Sequence, residues 1–504
     1  MPGQPDAGYS ETWSNVTTPT KVRGYSWSTA EARRGSTVMP YRFIPPSSAP
    51  DWPAGYSDSE ADLIRANLRY DMRIVNGSYL QTAGATGGRP LLGRALRRRP
   101  AEMLDFDGDG KRDLAVWEPP TGAGGAQGVF RVFTSSSGFQ SQITKVLGVL
   151  GDIPVPADYN GDGVTDFAVV HDAGGVASNF GTMFWRTCTS QTQPPPTPAT
   201  HTCPTPSSPG AQWGDRGDLP LPGTRFDPAA PGEMTVYRPS DGNVYVRNAS
   251  TGVSSTISTG WGTYNDQAPF VGNFDGHPGS DVAVYDPRQE EFRLRLSGSS
   301  WGTQVLRTFC PGGPATCAFV AKGTGTSADR GGAVPIWGLQ SALGWPYSGS
   351  GGALALWDPS NGNWNVMWSP VTSGAIETHQ WGVSSDTLVG DAVGLGPTPE
   401  AGQRSHLVAY RSDSTGGPGV FYRCAFPSGA TTCPGGGASQ AISVVGGQRR
   451  TDVFAVANMV TPGDGMPELC AYAPDLGTVR CYTSDSGYAA AIVVTFPNPA
   501  AQFL

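Results

Sequence analysis

Short apolar runs recur along the chain, each ended by a turn rich in Pro, Asp, Ser or Gly. They read LAVWEPPTG at Leu114, FAVVHDAGG at Phe167, MTVYRPSDG at Met234, VAVYDPRQE at Val282, LALWDPSNG at Leu354, LVAYRSDST at Leu407 and LCAYAPDLG at Leu469. Successive starts lie 48 to 72 residues apart. Polar and apolar positions do not alternate within the runs, which predicts strands covered on both faces. Each run leads into a further strand-like stretch, such as NVYVRNAS or NWNVMWS. A second signal precedes some runs: LGVLGDIPVPAD, WGDRGDLPLPG, WGTYNDQAPFVG and WGVSSDTLVG place Asp152, Asp218, Asp266 and Asp386 at matching points. The repeating unit therefore predicts four strands. One such unit cannot cover both its faces, but seven in a ring can. The expected fold is all-β: a seven-bladed β-propeller of four-stranded blades over residues 100–504.

Two of the runs follow an acidic loop. In DFDGDGKRD, Asp105, Asp107, Asp109 and Asp113 hold positions one, three, five and nine, and Lys111 at position seven offers only its carbonyl. DYNGDGVTD repeats this with Asp158, Asn160, Asp162, the Val164 carbonyl and Asp166. Hard oxygen ligands at alternate positions, with glycines between them for the tight wrap, suit Ca²⁺. An EF-hand would carry Glu at position twelve of a helical loop, whereas position twelve here is Val116 or Val169, inside a strand. A weaker copy before the fourth run has Asn273, Asp275, His277 and Asp281. The third unit keeps only Asp227 and Glu233, the seventh only Asp464 and Glu468, and the fifth and sixth have lost the acids. The ion is expected to fix loops rather than do chemistry.

D-x-D-G-D-G-x-x-D followed by an apolar strand resembles the FG-GAP/VCBS repeat, found in integrin alpha-subunit propellers and in many secreted bacterial proteins. The resemblance covers residues 100–496 and is most specific in the first two units. It implies seven blades, with calcium between the first and second strands of a blade. It does not imply one function, because members adhere, bind glycans or act as scaffolds beside enzymatic domains.

Composition agrees with short strands and many turns: charged residues are only 15%, with 69 Gly and 45 Pro in 504 residues. A net charge of -8 gives no electrostatic case for nucleic acid or an anionic membrane. No apolar run approaches the ~20 residues that span a bilayer. The cysteines are Cys188, Cys203, Cys310, Cys317, Cys424, Cys433, Cys470 and Cys481. An even count at hairpin-length separations argues for local disulfides and an oxidising, extracellular compartment. No C-x-x-C occurs, which speaks against a zinc site. The opening MPGQPDAGYS is polar and lacks a signal-peptide core.

Residues 1–99 lack the repeat. They are expected to form an N-terminal extension, mostly extended, with one short helix between Ser57 and Met72. The segment from Lys322 to Gly352 is expected to be a long loop presenting Trp337, Trp345 and Tyr347 to a sugar or a partner. CTSQTQPPPTPATHTC, between Cys188 and Cys203, is expected to project as a stiff proline-rich loop. Arg216-Gly217-Asp218 spells an integrin-ligand tripeptide, but the repeat already accounts for Asp218. GSSWG, from Gly298, lacks the helix that a nucleophile elbow requires. No enzyme is expected. The expected role is adhesion or recognition of a glycan or extracellular protein. The alternatives are a self-assembling structural subunit that uses the N-terminal extension, and a scaffold for a glycan-active enzyme.

Overall fold

The structure, a computed structural model, describes residues 104–504 apart from 173–182, 310–333, 341–351, 389–406, 412–419, 425–439, 444–452, 458–467 and several shorter stretches. Among the described residues the chain is all-β, and its strands form seven small antiparallel sheets in sequence order. The first holds β1 (Leu114–Glu118), β2 (Val129–Phe133) and β3 (Gln142–Val146). The second holds β4 (Ile153–Pro154), β5 (Phe167–Asp172), β6 (Met183–Gln191), β7 (Thr200–Thr202) and β8 (Ala211–Gln212). The third holds β9 (Leu219–Pro220), β10 (Glu233–Arg238), β11 (Asn243–Asn248) and β12 (Ser254–Ile257). The fourth runs through β13 (Ala268–Gly272), β14 (Asp281–Asp286), β15 (Glu291–Arg295) and β16 (Gln304–Thr308). The fifth comprises β17 (Val334–Gln340), β18 (Gly352–Asp358), β19 (Asn363–Met367) and β20 (Glu377–Gln380). The sixth comprises β21 (Asp386–Leu388), β22 (Leu407–Arg411), β23 (Val420–Cys424) and β24 (Gln440–Ser443). The seventh comprises β25 (Val453–Ala457), β26 (Glu468–Ala473), β27 (Thr478–Tyr482) and β28 (Ala491–Thr495). The last strand, β29 (Gln502–Phe503), returns to the first sheet and pairs with the free edge of β1.

All seven apolar runs lie on the second strand of a sheet. Burial grades outward from there: β1 and β26 are buried at every position, β2 and β15 alternate, and β3 and β16 are mostly exposed at alternate residues. Lack of alternation in LAVW thus reflects neighbours on both faces. Those neighbours are the adjacent sheets. Trp117 and Phe130 share a cluster with Phe167 of the second sheet, and Trp185 shares one with Met234 of the third. The third, fourth and fifth sheets share Tyr237, Phe292 and Leu354, and the fifth and sixth share Trp364 and Ala409. Phe421 of the sixth meets Tyr482 of the seventh at 6.4 Å, and Tyr472 of the seventh packs with Val116 of the first. A fully buried aromatic removes 150–250 Å² from water, about 4–6 kcal/mol before conformational entropy offsets it.

A turn after the third strand adds pegs between sheets. Phe139, Trp301 and Tyr488 adopt left-handed backbone with φ of 64, 59 and 66°, which costs energy at non-glycine residues. Phe139 reaches the cluster of Tyr472 and Val479, while the Trp301 ring edge meets Phe226 at 5.8 Å.

One expectation is corrected. Residues 334–340 are not loop but strand β17, paired with β18. Trp337 therefore stands on a strand opposite Leu354. The end of the proline-rich segment forms β7, which pairs with the distal half of β6, and β8 beyond it pairs with the proximal half.

Candidate metal centre

The acidic loops of the second and fourth units join the first and second strands of their sheets, and the loop of the first unit leads directly into β1, the strand that pairs with β29. The wrap is made by the loop's own amides. In the first loop Asp105 Oδ1 accepts from Gly108 N–H at 2.6 Å, and Oδ2 from Gly110 N–H at 2.8 Å. Asp158 does the same with Gly161 and Gly163 at 2.6 and 2.9 Å. These four glycines have φ of 82 to 86°, a region that L side chains avoid. Position five donates its N–H to position three in all three loops: Asp109 to Asp107, Asp162 to Asn160 and His277 to Asp275. Lys111 and Val164 at position seven donate to Asp109 and Asp162, both at 2.9 Å. The loop at Asn273 departs at position six, which is proline and has no N–H. There Asn273 turns its own amide to donate to the His277 carbonyl at 2.6 Å.

These bonds gather charge. Carboxylate oxygens of Asp105, Asp107 and Asp109 lie within 4.8 Å of one another, with Asp105 and Asp107 buried. The donors are all hard oxygens on adjacent wrapped residues, so the triad could hold a metal ion, and the chemistry of the set suits a hard divalent one. Asn160 replaces the middle acid in the second loop, and its Nδ2 donates to the Ser190 carbonyl at 2.8 Å.

Position nine has a different part. Asp113 spends one oxygen on Phe106 N–H and the other on Ser135 N–H, both at 2.7 Å. Asp166 ties Tyr159 N–H to Ser190 N–H, and Asp281 ties Phe274 N–H to Ser297 N–H. Glu233 accepts from Phe226 and Asp227 at 2.7 and 2.8 Å in the third unit, which has no acidic triad. Buried Glu468 stands at the same position in the seventh unit. In the third unit the brace is thus present without the acidic triad.

Sequence reasoning missed the serines. Ser135 and Ser190 offer the braced N–H and also donate their hydroxyls to position five, Asp109 at 2.8 Å and Asp162 at 2.9 Å. Ser136 donates to Asp107. A faint signal exists, since F-T-S, C-T-S and R-L-S each fall near the end of the third strand at the same register.

Burial without a counter-charge pushes these acids up. Desolvation raises Asp113 to about 8, and Asp105, Asp166 and Asp281 to about 6. Neighbouring carboxylates add to the rise at Asp113 and Asp105. A carboxyl raised in the folded state favours folding while protonated, and that contribution fades as pH climbs through the folded value. Ion-free protein is thus expected to melt at a higher temperature at pH 5 than at pH 8. Excess calcium at pH 8 should recover most of the loss. A melting temperature that climbs with pH in ion-free buffer would contradict this.

The turn aspartates are structural. Asp152 accepts from Val149 N–H at 2.8 Å and meets His171 Nδ1 at 2.6 Å. Asp218 takes Arg238 through both oxygens at 2.9 and 2.8 Å. Only 2% exposed, Asp218 is not placed to serve as a receptor ligand. Disulfides join Cys188 to Cys203 and Cys470 to Cys481, the second pair directly opposite across β26 and β27. Cys424 is disulfide-bonded as well. Cys310, Cys317, Cys433, Trp345, Tyr347, Asp266, Asp464 and residues 1–99 lie outside the described residues, as does the Trp337 side chain. No helix among the described residues is long and apolar enough to cross a membrane. No family model matches the sequence, and no curated protein matches it either.

Proposed function

We propose that the chain is a calcium-stabilised seven-bladed propeller of the FG-GAP/VCBS type that works outside the cell by recognising a glycan or a protein. The observation that carries the ring is the return of β29 to β1, together with packing that runs from each sheet to the next and from the seventh to the first. A closed ring of four-stranded sheets leaves only its outer strands as edges. Calcium is favoured by the all-oxygen donor set of the first loop and by its repetition in the second. The disulfides favour an oxidising compartment. Recognition is favoured over catalysis because the clustered acids are tied to their own loops' amides, an arrangement that holds an ion rather than moves a proton.

Glycan-array binding by the full chain, in calcium and again in chelator, tests the role. Binding to one sugar class that disappears in chelator is the expected result. A silent array from protein shown to be folded would end the lectin reading and turn attention to protein partners and self-assembly.

A further inference from the structure

The first two acidic loops touch each other, and the contact involves the residues that wrap the ion sites. Thr165 precedes the Asp166 brace of the second loop. Its hydroxyl accepts the N–H of Asp105 at 3.0 Å, and its own N–H donates to the Asp105 carbonyl at 2.7 Å. Asp105 is the first acid of the other loop's triad. The same two loops pack again where a Cβ on Gly108 would lie 3.1 Å from Val164 Cγ2. Ala199, inside the segment closed by Cys188–Cys203, donates its N–H to the Asp107 carbonyl at 2.9 Å. Two of the three acids of the first loop thus have their backbone held by the second unit.

The contact is a feature of the repeat, and its strength varies. Between the third and fourth units, Ser280 accepts from Arg225 N–H at 2.9 Å and donates to its carbonyl at 2.8 Å. Between the fourth and fifth, Gly352 N–H donates to the Asn273 carbonyl at 2.7 Å. Between the second and third the position is Gly232, where a Cβ would lie 2.5 Å from Tyr159 Cα. Among the described residues, the first boundary is where a hydroxyl joins two loops that both keep oxygen side chains at positions one, three, five and nine.

We infer that the first two loops take up divalent cations as a coupled pair, with Thr165 as the positioning residue that links them. The inference rests on the reading that these loops take calcium. Ordering the second loop fixes Asp166 and therefore Thr165. Thr165 in turn fixes both backbone hydrogen-bonding groups of Asp105, so the first loop has less freedom left to lose when its own ion arrives. Linkage makes the effect reciprocal.

The test is calcium titration of the full chain by calorimetry, with Asp275→Asn throughout to silence the fourth loop. Asp162→Asn keeps an oxygen for the Val164 and Ser190 bonds but removes the charge that holds the second ion. It should weaken the first loop for calcium by about tenfold, a typical coupling. Thr165→Val keeps the shape and the N–H but loses the hydroxyl, and should weaken the first loop similarly. The two changes together should do little more than either alone, and Thr165→Ser should restore the affinity. A local packing role for Thr165 would instead make the two losses multiply, which would overturn the coupling. Should Thr165→Val fail to fold, Asp162→Asn decides alone: an unchanged first loop overturns the link. Absence of any calcium heat in the Asp275→Asn protein would instead remove the calcium reading itself.

Discussion

Calcium-free protein is expected to be less stable than the loaded form by about 2.7 kcal/mol for each site held at a hundred times its dissociation constant. With the first two loops filled, the difference comes to about 5.4 kcal/mol, a large share of what usually separates folded from unfolded chains. The cause is local. Without a cation, three carboxylates within 4.8 Å of one another, two of them buried, must share a site with one another or take protons. Guanidinium titration of the full chain in calcium and after chelation reads the difference directly. Magnesium should substitute poorly, because it demands a tight octahedron and gives up its water reluctantly. Asp105→Ala should reproduce much of one site's loss, since it removes an acid and also the acceptor for Gly108 and Gly110. Identical midpoints in calcium and in chelator would leave the loops as solvated turns and sink the reading.

The fold was legible in the sequence where burial was extreme. LAVW, FAVV and LCAY announce themselves because a strand with sheets on both sides has no polar face to show. The wrap of the acidic loops was legible because carboxylates at alternate positions, with glycines between them, can accept from the loop's own amides. Three features were not legible, each for a physical reason. VPIWGLQ was hidden by its flanks of Gly, Ser and Thr, and its bulge between Trp337 and Leu339 breaks the two-residue period. Strand β29 has two residues, too few for any periodicity, and only its partner β1 defines it. The serine and threonine contacts join residues 60 positions apart in one case and 26 in another. Hydroxyl residues are common in turns for local reasons, so beyond the shared serine near the end of the third strand little in sequence marks the few that make such distant bonds.

Deleting residues 501–504 is the second change expected to act strongly, and it tests closure rather than the ion. Strand β29 pairs Val116 with Phe503 and Trp117 with Gln502. Leu504 N–H donates to the Ala115 carbonyl, Arg112 Nη2 donates to the Leu504 carbonyl at 2.8 Å, and the Tyr472 hydroxyl donates to the Ala501 carbonyl at 2.9 Å. At about 1 kcal/mol for each lost bond, plus the cost of leaving the buried Tyr472 hydroxyl unpaired, the deletion should remove about 4–5 kcal/mol. It also strips one edge of β1, whose five residues are all buried. The consequence should reach beyond the first sheet. A ring shares its strain among all its interfaces, whereas an opened array of units contacts neighbours in line only and frays from its ends. Hydrogen exchange should therefore speed up most in β1, β2, β26 and β27, which pack together, and least in β10 and β14, which share no cluster with the first sheet. The urea transition should also broaden as the first and seventh sheets begin to melt on their own. If exchange rises evenly across all seven sheets while the transition stays sharp, β29 stabilises the first sheet without closing anything, and the ring loses its main support.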